Sequence, residues 1–249
     1  MRLLALSCEV LARSVYLCAA RSPQVVDVRL NRRGLHDDPA NLRSILQGEI
    51  DAVGAPYDAV VLAYGLCGGA LAGLRASRVP VVVTRAHDCI TIFLGSRDRY
   101  TTETTRQPGT FWYVQDYLER TDEGSVFGGV GAVSDAAARA TFEEYVAKYG
   151  EDNAAYLMET LGAWRSHYSR AAYVEMGMSD PRGAAAAEVR ARDDAERRGW
   201  AFDKLAGGLI LVKRLIDADW GTDDFLVLQP GERLAMSYDE GVIRAEPAV

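Results

Sequence analysis

The chain has 249 residues, enough for one large domain or two small ones around a substantial core. Its 49% hydrophobic and 25% charged content is that of a globular protein. A net charge of -7 with dispersed basic residues argues against a general nucleic-acid-binding surface. The apolar opening MRLLALSCEVLARSVYLCAA is interrupted by Glu9 and Arg13, so it reads as a strand entering a helix. Neither a secretory signal nor a membrane span is expected, and the expected location is cytoplasmic.

Arg2 to Ser7 predicts a short buried strand ending at Cys8, followed by a helix with Val10, Leu11, Val15 and Leu17 on its inner side. Val25 to Leu30 is a second β-rich run. Asn31 to Pro39 is polar and turn-forming, with Asp38 or Asn41 as cap for a helix over Leu42 to Val53. Tyr57 to Tyr64 is continuously apolar, the pattern of a strand buried on both faces of a parallel sheet. It stops at Gly65-Leu66-Cys67-Gly68-Gly69. A short helix from Ala70 to Ala76 and a strand from Val79 to Thr84 come next, the latter ending at Arg85-Ala86-His87-Asp88-Cys89. That order predicts a βαβ unit with a right-handed crossover.

Phe111 to Val114 predicts a further strand, residues 122–131 a glycine-rich loop, and residues 134–170 helix. Ala172 to Met176 reads as a strand. Asp180-Pro181 opens a helix rich in alanine and arginine up to Arg198. Leu205 to Ile216 reads as an apolar helix and Phe225 to Leu228 as a strand stopped by Pro230-Gly231. The remainder is either a closing hairpin or irregular. Residues 207–231 faintly repeat the helix–strand–glycine rhythm that begins at Gly68. The expected fold is a single α/β domain over 1–249 with an open, mostly parallel, Rossmann-like sheet. A subdivision near 120–133 and two pseudo-symmetric halves around a cleft are compatible with it.

Four cysteines without an export signal should be reduced thiols, serving either the core or a function. In open α/β sheets, ligands bind beyond the carboxyl ends of the strands. Cys8, Cys67 and Cys89 each come just after the end of a predicted buried strand. Neighbouring parallel strands lie about 4.8 Å apart, close enough for three such sulfurs to share a metal at about 2.3 Å from each. Any one alone is best explained as a buried thiol. Three in one topological position favour a metal centre over a redox or nucleophilic thiol. Cys18, inside the first helix, reads as packing. No CxxC pair is present, and three distant single ligands point to a functional site with an open coordination position. Two chemistries suit that set: a zinc ion that activates a substrate thiol for methyl or alkyl transfer, or a [4Fe–4S] cluster acting as a Lewis acid in a lyase or dehydratase.

Neighbouring residues extend the candidate site. His87 is a fourth ligand, a general acid/base, or a plain surface histidine. Asp88 orients a histidine or caps the helix starting near Ile90. Gly65, Gly68 and Gly69 let a ligand approach the backbone or simply make a tight turn, and they match neither a P-loop nor the dinucleotide fingerprint. Arg85, Arg97 and Arg99 could clamp a carboxylate or phosphate. Tyr64 and Tyr100 are proton donors or pocket walls, and Glu175 is a candidate cleft carboxylate. His36 and His167 lie in polar surroundings and receive no role.

The stretches AYGLCGGALAGL at 63–74, VTRAHDCITIFLGSRDRY at 83–100, PGTFWYV at 108–114 and WGTDDFLVLQPGERL at 220–234 resemble the bacterial and archaeal domain-of-unknown-function family 1638. The resemblance places Cys8, Cys67 and Cys89 at the family's cysteine motifs. It implies a tie to corrinoid-dependent methyl-transfer systems, which favours the zinc version, with a small thiol or anionic substrate and a corrinoid protein as partners. A non-enzymatic metal- or corrinoid-binding accessory protein is the remaining alternative. The helix over 183–198 looks particular to this chain.

Overall fold

The computed structural model describes residues 1–66, 69–120, 127–129, 132–133, 142–148, 150–154, 167–178, 180–237, 239 and 241–248. The chain forms two compact units, one from Met1–Tyr100 with Gly208–Val249 and the other from Thr101–Gly207. The segment 120–133, a candidate subdivision on sequence grounds, falls within the second unit and lies mostly outside the described residues, as does most of the helical stretch expected over 134–170.

The first unit is built on strands β1 (Arg2–Cys8), β2 (Val25–Asn31), β3 (Ala59–Ala63), β4 (Val81–Thr84) and β10 (Phe225–Leu228), in the order β10-β4-β3-β1-β2. The four N-terminal strands are mutually parallel, and β10 runs antiparallel to β4. The continuous apolar runs are central strands: Leu3, Leu4, Leu6, Val60 to Leu62 and Val81 to Val83 are fully buried. Helices α1 (Ala12–Ala19) and α7 (Ile210–Ile216) pack together, α1 against β1 and β2 and α7 against β3 and β4. Cys18 is a buried residue of α1, the packing role expected for it. Helix α2 (Pro39–Asp51) buries Leu42, Leu46 and Ile50 at one helical face, and its cap is Asp38, which accepts a hydrogen bond from the Asn41 amide at 3.1 Å.

Two expectations fail here. Residues 70–76 form turns instead of a helix. Gly69 and Gly73 adopt φ of 85° and 88°, and the segment pairs with β11 (Glu232–Met236) through Gly73 N to Leu234 O at 2.7 Å and Ala76 N to Glu232 O at 2.9 Å. These contacts outweigh the helix propensity of its alanines and leucines. The helix expected over 205–216 is shorter because Ala201–Ala206 is strand β9. The C-terminal residues do close as a hairpin, β11 with β12 (Ile243–Pro247).

The second unit holds a parallel sheet in the order β5-β8-β9, with β5 (Thr110–Val114), β8 (Arg170–Glu175) and β9, and an antiparallel pair β6 (Phe127–Gly129) and β7 (Ala132–Val133); helices α4 (Arg97–Arg106) and α5 (Gln115–Leu118) flank β5 in the chain. Helix α6 (Pro181–Arg198) lies on the parallel sheet, capped by the Asp180 carboxylate at its start and by left-handed Gly199 at its end. Its composition now has a reason. Ala187, Ala191 and Ala195, four residues apart, are buried against Phe111, Tyr113 and Tyr173, where small side chains let the helix approach an aromatic sheet face. Several arginines sit outside this stripe, Arg192 over the Phe202 ring and Arg198 over Trp200. Among the described residues no helix is long and apolar enough to cross a membrane.

Candidate functional site

Cys8 is the last residue of β1, and Cys89 is the first of α3 (Cys89–Leu94), five residues beyond β4. Because β1 pairs with β3 and β3 with β4, all in parallel, both cysteines leave the sheet at one rim of the first unit. They are 2% and 8% exposed, so neither is a surface thiol. Cys67 and Gly68 lie outside the described residues. The described residues before them meet the loop after β4. Leu66 N donates to Ala86 O at 2.9 Å, and a Cβ built on Gly65 would lie 2.4 Å from the carbonyl carbon of Asp88. Gly65 is therefore needed for the loop after β3 to press against the loop that carries Cys89. Gly69, at φ 85°, makes the turn, and Arg43 anchors that turn by donating to Gly69 O at 3.0 Å and Ala70 O at 3.3 Å. Among the described residues no group of three or more histidine, cysteine, aspartate or glutamate side chains could hold a metal ion.

Asp88 is a cap. Its Oδ1 accepts from the amides of Ile90 at 2.9 Å and Thr91 at 3.2 Å, and its Oδ2 accepts from the Tyr100 hydroxyl at 2.8 Å. Burial pushes the Asp88 carboxyl above its ordinary value, against the three hydrogen bonds that stabilise its anion. Burial and the adjacent Asp88 charge push Tyr100 up as well, so its hydroxyl is held as a hydrogen-bond donor. His87 is exposed, its ring stacked on Tyr100 at 6.0 Å.

Arg85 and Arg97 are brought together. Both line a cavity of about 620 Å³ with Asp223, Asp239, Gly241, Ile243 and Arg244, beside the carboxyl end of β4. Much of Arg85 is already engaged: Nε donates to Phe225 O at 3.2 Å, and Nη1 donates to Gly241 O at 2.7 Å and to Ile243 O. Arg97 donates to Asp223 O at 2.7 Å. Burial, and then the Arg97 charge, lower the Arg85 pKa. The cavity is polar and of mixed sign, with three guanidinium groups against two carboxylates. Glu175 belongs to the second unit, where it pairs with Lys204 at 2.8 Å.

Tyr64, only 1% exposed, comes directly after β3 and is stacked at 6.0 Å and 23° on a residue that sequence reasoning passed over. That residue is His36, in the short 3-10 helix Arg33–Asp37 beyond β2. Its Nε2 is buried and, among the described residues, has no hydrogen-bond partner. Burial, assisted by the Arg33 charge, lowers its pKa from the ordinary 6.5 and favours the uncharged imidazole. A usable signal was present. His36 lies just past the end of a predicted strand, the same criterion that singled out the cysteines, and only its polar neighbours hid it.

A family model described as "Protein of unknown function (DUF1638)" matches residues 31–216, well over half of the chain. The chain belongs to that family. The DUF1638 match takes in His36, Tyr64, Cys67, Arg85, His87 and Cys89, while Cys8 and the 220–234 stretch fall outside the matched span. No curated protein and no solved structure matches the chain.

Proposed function

We propose that this DUF1638 protein is a metal-dependent enzyme whose Cys8, Cys67 and Cys89 hold a zinc ion at the carboxyl rim of the first unit's sheet. The reaction would be methyl, alkyl or thiol-group transfer linked to a corrinoid system. The observation that carries this reading is the unbroken parallel adjacency of β1, β3 and β4, from whose ends Cys8 and Cys89 emerge at one edge. The contact of Gly65 and Leu66 with Ala86 and Asp88 adds that the loops before Cys67 and Cys89 touch. The donor chemistry fits, since buried thiols in a reducing, cytoplasmic setting are good zinc ligands. A zinc ion held by thiolates offers a fourth position where a substrate thiol loses its proton while its sulfur stays nucleophilic. The Arg85–Arg97 cavity beside the same rim suits an anionic portion of a small substrate, with Arg97 and Arg244 supplying charge and Arg85 fixing the wall.

Metal and sulfide analysis of the full chain, purified without oxygen from zinc-sufficient cells, tests this reading. The expected result is about one zinc per chain, lost when Cys67 or Cys89 is changed to serine. Iron with sulfide would replace the zinc reading by a cluster-dependent lyase, and a metal-free wild-type protein would remove both.

A further inference from the structure

We infer that the outer edge of β2 is the surface on which two copies of this chain pair, antiparallel, about a two-fold axis at Val28. The inference is independent of the metal reading. Strand β2 ends the five-stranded sheet, and none of its seven residues is buried. Val25 N donates to Met1 O at 3.0 Å, so Val25, Asp27, Arg29 and Asn31 turn their backbone groups towards β1. Alternation along the strand then turns the N–H and C=O groups of Val26, Val28 and Leu30 outwards, where no strand among the described residues meets them. The register against β1 is unbroken from Val25 to Asn31, and the strand holds no proline, lysine or bulge, the usual guards of a free edge. The opposite edge of the same sheet differs: β10 is four residues long and lies against β12.

The sequence of the edge, VVDVRLN, names the occupant. Laid antiparallel on a second copy about Val28, it sets Val28 against Val28, Val26 against Leu30 and Asp27 against Arg29. The three outward-facing residues are then the ones that exchange backbone hydrogen bonds. Asp27 and Arg29 fall at the intervening positions, where Cα atoms approach to about 4.5 Å and side chains meet. Arg29 is exposed and makes no ion pair among the described residues. Arg2 and Tyr57 both donate to Oδ2 of Asp27, which leaves Oδ1 for Arg29 of the second copy. A two-fold axis at Asp27 or at Arg29 would set like charges face to face, so the charges select one register.

An interface of one strand per copy is small, and the dimer should dissociate in the range of about 1–100 μM. Sedimentation velocity of the full chain from about 1 μM to about 1 mM measures it. The expected result is a monomer–dimer equilibrium that weakens on the order of 10-fold or more in Arg29→Glu, where both cross-strand pairs turn repulsive. Val28→Pro should abolish it, because the N–H it removes points away from β1. Hydrogen exchange on the wild type needs no variant. The Val26, Val28 and Leu30 amides should slow as concentration rises, while those of Asp27, Arg29 and Asn31, already facing β1, should not change. A chain that stays monomeric at about 1 mM overturns the inference. So does a dimer indifferent to Arg29→Glu, or one in which the three outward amides exchange at the same rate at every concentration. The Arg29 side chain is exposed, so Arg29→Glu should fold as wild type does, and the test holds even if Val28→Pro fails to fold.

Discussion

Replacing Gly65 with alanine would set a methyl group 2.4 Å from the Asp88 carbonyl carbon, 2.5 Å from its Cα and 2.8 Å from its oxygen. Ordinary contact begins near 3.4 Å, so the two loops would have to part by about 1 Å. The obstacle is backbone, which no rotamer change can move aside. Parting the loops strains the Leu66–Ala86 hydrogen bond and the Asp88 cap on α3. Overpacking of this kind costs about 1–3 kcal/mol. At about 2–4 °C per kcal/mol for a chain of this size, the melting temperature should fall by about 2–12 °C. Circular dichroism melts and urea midpoints at unchanged slope measure the effect. Hydrogen exchange at the Ile90 and Thr91 amides should quicken. Gly48 is the control: it is exposed on α2 with nothing within 4 Å of an added Cβ, so Gly48→Ala should stabilise by about 0.5–1 kcal/mol. A Gly65→Ala protein as stable as wild type, with unchanged exchange, would refute the close approach of the two loops and weaken the case for a shared centre.

Three further outcomes concern ionisable groups. Arg170, with no exposed side-chain surface, bridges Glu103 at 2.7 Å and Asp203 at 3.2 Å, and Arg170→Met should cost about 3 kcal/mol, the low end for a broken buried pair because Asp203 reaches solvent. Burial alone would raise the Glu103 carboxyl, but Arg170 and Arg106 outweigh it and hold the group below its usual 4.5. Its contribution is complete above pH 4.5 and is lost as pH falls through the depressed value, so the acid limb of the wild-type stability curve should be steeper than that of Glu103→Gln. Burial pushes the Cys18 thiol up to about 11. At pH 8 roughly one molecule in a thousand carries the thiolate, so iodoacetamide labelling of Cys18 followed by mass spectrometry should be far slower in the native protein than in urea. Equal rates would contradict its burial.

The central strands were legible because burial on both faces leaves an uninterrupted apolar run, as in Val60 to Leu62 and Val81 to Val83. Strand β9 was not, since Asp203 and Lys204 interrupt a half-exposed edge that resembles neither regular pattern. The direction of β10 was hidden for another reason: periodicity identifies a strand but not which way it runs. At the site, the strand pattern located Cys8 at the end of β1 and Cys89 shortly after β4, and the position of Asp88 before Ile90 gave its cap. Neither reached features that depend on partners remote in sequence. Arg85 reads as an anion clamp until Gly241 and Ile243, more than 150 residues later, occupy its guanidinium. His36 reads as a turn residue until Tyr64 covers it.

The first unit is discontinuous along the chain, and that bears on its biosynthesis. Strands β1 to β4 leave the ribosome early, but the edge partner β10 and the carbonyls that receive Arg85 are translated only after the whole second unit. At about 5–20 residues per second, the exposed flank of β4 waits about 7–28 seconds for its cover. During that interval an unpaired apolar strand edge and a guanidinium without its acceptors stand open together. Nascent chains stalled before residue 208 should accordingly recruit holding chaperones, and release them once the C-terminal hairpin has been made.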